Sequence, residues 1–149
     1  MRVALVDYDS GNLHSAEKAF QLMGRDAGAE VTLASIKGGA IPVDQRSVNA
    51  DGENDASVER YLKDKALKAE VAGTPVFTSI DPAGYDALFL PGGHGTMFDF
   101  ANDEVNKAVA HFADAGKIVA AVCHGPQLLA AAGILKGRTC SAYPACAPE

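Results

Sequence analysis

Cys123 is the residue most able to do chemistry. It follows the apolar run Ile118–Val122 and precedes His124, Gly125 and Pro126, which reads as a buried strand passing into a helix through a tight turn. Such a turn lifts the sulfur above the sheet edge, as in a nucleophile elbow. The amide-rich helix start favours the thiolate, the form that attacks carbonyls, and Pro126 suits the first helical turn. His124 could move protons or steady that thiolate, as imidazoles do. The plain alternatives are a structural cysteine and a histidine merely exposed at a turn.

A second cluster, Pro91-Gly92-Gly93-His94-Gly95, follows the apolar run Ala87-Leu88-Phe89-Leu90. Glycines let backbone N–H groups approach a ligand oxygen closely. Gly92, Gly93 and His94, with the His124 amide, could therefore build an oxyanion hole, although an ordinary turn would look the same. His14 and His111 read as incidental, and Cys140 and Cys146 as structural or incidental. The three cysteines lack CxxC spacing, so free thiols are expected rather than a metal site. Gly11-Asn12 lacks the spaced glycines of a nucleotide loop, and no cofactor is expected.

These turns need strands and helices to hold them. Val3–Val6, Val31–Ala34, Ala87–Leu90 and Ile118–Val122 read as apolar strands, with a minor strand at Val76–Phe77 and a last one near Thr139–Ala142. Asn12 caps a helix presenting Leu13, Ala16, Phe20 and Met23. Asp55 or Ser57 caps another, with Val58, Tyr61, Leu62 and Ala69 inward and an end near Gly73. Asn102 caps a third that carries Val105, Ala108, Val109 and Phe112 inward and stops at Gly116, and a final helix runs from about Gly125 to Ala132. Lys37–Asn54 is a long excursion. Strands alternating with helices imply an α/β fold, a doubly wound parallel sheet covered by helices on both faces.

At 149 residues the chain is too short for two ordinary domains. Its net charge of -6 and scattered Lys and Arg argue against nucleic-acid binding. The apolar run before Asp7 is too short for a signal or membrane-spanning segment, so a cytoplasmic protein without membrane partners is expected.

Phe89–Met97 and Ala120–Pro126 together resemble the DJ-1/PfpI superfamily, especially its Hsp31-like branch, over about Asp26 to Leu135. Val6–Ala19 instead resembles the glutaminase subunit of imidazole glycerol phosphate synthase, a related class I amidotransferase. Leu135–Pro144 is similar to the PfpI protease-like branch. The resemblance implies one flavodoxin-like, three-layer α/β/α domain over residues 1–149, stopping where relatives continue into a further strand and helix. The chain reads as a truncated mosaic, recombined or designed from fragments that share strand and helix spacing.

The same resemblance implies a cysteine-dependent, glutathione-independent glyoxalase (glyoxalase III) that turns methylglyoxal into lactate, with deglycase, hydrolase or chaperone roles in relatives. Cys123 would add to the aldehyde, His124 would assist proton transfer, and Gly93 with the His124 amide would hold the oxygen. The partner would be a small carbonyl substrate, and relatives are often homodimers. The family also places a glutamate beside the cysteine. Glu17 is the nearest candidate, one residue past the aligned Ala16, and one helical residue turns a side chain by about 100°. Glutamine hydrolysis needs a later His-x-Glu pair, and no histidine follows His124. An inactive scaffold or a partner binder with a redox-sensitive thiol is the non-enzymatic alternative.

Overall fold

Two strands with continuous apolar runs form the centre of the sheet, where both faces of a strand are buried. The computed structural model describes residues 1–7, 28–42, 48–49, 51–93, 95–96 and 102–146. Among them, β1 (Arg2–Asp7), β2 (Glu30–Ser35), β3 (Ala87–Leu90) and β4 (Ile118–Ala121) make one parallel sheet in the order β2-β1-β3-β4. Strand direction is shared throughout: Leu5 faces Leu33 on one side and Phe89 on the other, and Phe89 in turn faces Ala120.

Side chains alternate across this sheet with a period of two. Ala4, Val6, Leu88 and Leu90 point to one face and meet Val105, Val109 and Phe112 of α3 (Asp103–Asp114), with Leu128 and Leu129 of α4 (Pro126–Ala131). Val3, Leu5, Ala87 and Phe89 point to the other face and meet Tyr61 of α1 (Ala56–Lys63) and Leu67 of α2 (Lys65–Ala72). Helices thus cover both faces, giving the three-layer α/β/α architecture expected. Val3, Leu5, Val6, Leu88 and Leu90 are fully buried, each contributing roughly 1.5–3 kcal/mol of apolar transfer. The strand order reverses between β1 and β3, and in open sheets of this kind ligands bind at the carboxyl ends of strands beside that reversal.

α3 begins as its sequence implies, with Asn102 Oδ1 accepting from the amides of Glu104 and Val105 at 3.0 and 3.2 Å. Several other elements differ from expectation. The helix read as continuous from residue 56 to 72 is broken at Asp64, whose Oδ1 accepts from Leu67 N at 2.9 Å and starts a new helix. The break resets the helical phase, so Leu67 is buried while Ala69 is exposed; Leu62, before the break, is exposed as well. Val76 makes only an isolated bridge to Ser35, and Phe77–Ser79 coils into a 3-10 turn instead of a strand. No strand forms at Thr139–Ala142; the tail runs irregularly into a 3-10 turn at Pro144–Cys146. Among the described residues β4, expected to be a buried strand, is the sheet's edge, with Ile118 64% exposed and Val122, which follows it, 49% exposed. The expected Asn12-capped helix lies outside the described residues.

Candidate active site

β4 ends on a hydrogen bond from Val122 N to Leu90 O of 3.1 Å, the last rung shared with β3. The chain then reverses through a four-residue turn closed by Gly125 N donating to Val122 O at 2.8 Å. Cys123 and His124 occupy the middle of this turn. Cys123 has φ +56, the only positive value at a non-glycine position among the described residues. For an L-residue that conformation costs roughly 1–2 kcal/mol, and it persists only where surrounding contacts over-determine it.

Those contacts are visible. Besides Val122 O, the carbonyl of Cys123 accepts from Tyr143 N at 3.0 Å, that of His124 from Gln127 N at 3.1 Å, and that of Gly125 from Leu128 N at 3.0 Å. Two glycines supply the space. A Cβ on Gly92 (φ +80) would stand 2.5 Å from Val122 O and 3.1 Å from the Cys123 Cβ. One on Gly125 would stand 2.7 Å from Leu90 O. The Pro91–Gly93 segment therefore lies directly against the elbow backbone. Thr96, fully buried, fastens it by donating from Oγ1 to Gly93 O at 2.8 Å.

The structure brings together Cys123, His124, Gly92 and Gly93, four of the candidates named from sequence. Cys123 is exposed, and its Sγ lies 3.3 Å from Nδ1 of His124. His124 is only 6% exposed, with its ring held against that of Tyr143 at 4.8 Å between centroids. The two side chains lie within reach of a proton transfer. Glu17, His94 and His14 lie outside the described residues. His111 is exposed in the last turn of α3, where a cation suits the helix dipole.

Behind the elbow an open cleft of about 440 Å³ is lined by Pro126, Gln127 and Ala130 of α4 and by Cys140, Tyr143 and Cys146 of the tail, among others. Among the described residues no three His, Cys, Asp or Glu side chains gather as metal ligands. Nor is any helix among them long and apolar enough to cross a membrane.

The parallel three-layer sheet is one that proteins of known family share. The family model described as DJ-1/PfpI family matches residues 9–149. The chain belongs to the DJ-1/PfpI family. It is 40% identical over 120 residues to a deglycase of Pyrococcus horikoshii, a match covering 80% of this chain and 59% of that protein. It is 47% identical over 72 residues to DJ-1 homolog D of Arabidopsis thaliana, covering 48% of this chain and 19% of that protein. The crystal structure of glyoxalase III from Candida albicans is similar with a TM-score of 0.71 and 28% identity, over 87% of this chain and 59% of that one. The chain spans about three fifths or less of the length of these relatives.

Within this DJ-1/PfpI chain, reasoning from residue types passed over Tyr143 and Thr96. Tyr143 stands in the block similar to the PfpI branch, so the signal was present, but its two contacts with the elbow depend on the path of the tail. Thr96 sits three residues after Gly93, a spacing from which a threonine hydroxyl commonly closes a turn.

Proposed function

We propose that this chain is a cysteine-dependent, glutathione-independent glyoxalase acting on a small 2-oxoaldehyde such as methylglyoxal. The observation that carries the reading is Cys123 itself, an exposed residue held at φ +56 with its sulfur 3.3 Å from the imidazole of a nearly buried histidine. Similarity to glyoxalase III of Candida albicans and to archaeal deglycases supports it.

In this reading His124 takes the thiol proton as Sγ adds to the aldehyde carbon, forming a C–S bond and an oxyanion. Amides around Gly92 and Gly93, His94 and the His124 amide hold that oxygen. His124 gives its proton to that oxygen, then takes the C1 proton and delivers it at C2, while the hydroxyl proton passes from the C1 oxygen to the C2 oxygen; the aldehyde carbon is oxidised and the ketone carbon reduced within one molecule, giving a lactoyl thioester. Water then attacks the thioester, lactate leaves, and the thiol recovers its proton. The carboxylate that the family resemblance calls for is assigned in this reading to Glu17.

The test is methylglyoxal consumption without glutathione, comparing the parent with Cys123→Ala. Loss of the nucleophile is expected to lower the rate by about a thousandfold or more. Equal rates in the two proteins would overturn the proposal and favour the inactive-scaffold reading.

A further inference from the structure

Two thiols that the proposed reaction does not use face a single cleft. Cys140 is exposed and Cys146 is buried, and both line the cleft of about 440 Å³ behind the elbow. The Cys146 amide donates to Tyr143 O at 2.8 Å and folds the tail back in the turn Pro144–Cys146. From Cys140 to Tyr143 the backbone joins no helix or strand, so its shape is held by few main-chain bonds. Tyr143, between the two cysteines, touches the elbow twice: its N–H bonds Cys123 O at 3.0 Å, and its ring lies 4.8 Å from that of His124.

We propose that Cys140 and Cys146 form a peroxide-oxidised pair whose disulfide regulates the Cys123 site through Tyr143. The inference rests on the proposed function only in taking Cys123 as the reactive centre. Hydrogen peroxide is the oxidant. The exposed Cys140 sulfur breaks the O–O bond, becoming a sulfenic acid while one water leaves. The Cys146 sulfur then attacks it, the S–S bond forms, and a second water leaves. Two thiols have lost two electrons and two protons, and the peroxide has been reduced to water. A disulfide holds its Cα atoms within about 7 Å, and Tyr143 lies at the middle of the loop so closed. The constraint therefore acts on the residue that supports both the Cys123 carbonyl and the His124 ring.

Trypsin separates the partners, because cleavage after Lys117, Lys136 and Arg138 leaves Cys123 in one peptide and Cys140 with Cys146 in another. The reduced full-length chain is treated with limiting hydrogen peroxide, blocked with N-ethylmaleimide and digested. The expected result is a 139–149 peptide lighter by two hydrogens and unlabelled, with maleimide on the Cys123 peptide. The rate at which iodoacetamide alkylates Cys123 is expected to change by about threefold or more on oxidation, and not to change in Cys140→Ser. A disulfide joining the two peptides, oxidation confined to Cys123, or an unchanged alkylation rate would each overturn the proposal. None of these readouts uses turnover, so failure of the methylglyoxal assay alone would remove the glyoxalase reading and leave this inference standing.

Discussion

β3 and β4 are neighbouring parallel strands, and each gives way to a turn with left-handed backbone. They solve the same geometric problem with opposite residues. β3 exits through Gly92 and Gly93, at φ +80 and +104, where no side chain is strained because none exists. β4 exits through Cys123 at φ +56 and keeps the strain of a side chain in that region. The contacts explain the division. At Gly92 any Cβ would run into the carbonyl of Val122, whereas Cys123 is an exposed residue whose Sγ lies 3.3 Å from Nδ1 of His124. One turn omits side chains where the other turn's backbone approaches, and the other carries the thiol.

Four substitutions sharpen or break this comparison. Gly92→Ala adds both a left-handed side chain and an overlap with rigid backbone, so a loss of about 3 kcal/mol is expected in chemical denaturation. Gly125 has an ordinary right-handed backbone at φ -54, and Gly125→Ala introduces only the overlap with Leu90 O. About 2 kcal/mol is expected by the same measurement, and a neutral result would show that the two turns are not packed against each other as described.

Cys123→Gly isolates the conformational part with the opposite sign. Compared with Cys123→Ala, it should be more stable by about 1 kcal/mol, read as a higher midpoint in urea. If glycine and alanine proved equal, the strain assigned to the elbow would be absent.

The smallest effect is expected far from both turns, at Glu59. Its carboxyl is held below the ordinary range first by the hydrogen bond with Lys63, then by that from Asn54 and by the Lys63 charge. Lys63 Nζ lies 3.0 Å from Oε2, and Asn54 Nδ2 donates to Oε1 at 3.2 Å. A lowered carboxyl value contributes stability above the unfolded value, lost as pH falls through the folded one. Glu59→Gln should make the acid loss of stability slightly shallower and leave Cys123 alkylation unchanged. A changed alkylation rate would mean the elbow is coupled to the opposite helical layer.

The elements that were legible in the residues share a physical property. The strands around Val3–Val6 and Ala87–Leu90 are short apolar runs followed by turn formers, Val31–Ala34 is mostly apolar, and α3 has a capping Asn102 before it and Gly116 after it. The turn at Cys123 could be read because strand, turn formers and Pro126 are contiguous. The break at Asp64 was hidden, since apolar spacing continued across it while a single side chain captured a helix start. The strand expected at Thr139–Ala142 failed for another reason: strands exist only by pairing, and in this tail the Tyr143 N–H bonds the carbonyl of Cys123 instead.

Local order along the chain was enough to establish the alternation of strand and helix, the apolar character of β1 and β3, and a cysteine set in a turn, because these follow from neighbours a few residues apart. It could not say that β4 would be an edge, that Gly92 would press against Val122, or that Tyr143 would support His124. Each of those depends on which distant segments come to lie side by side, and the shape of the packed molecule selects among segments that their own residues leave equally eligible.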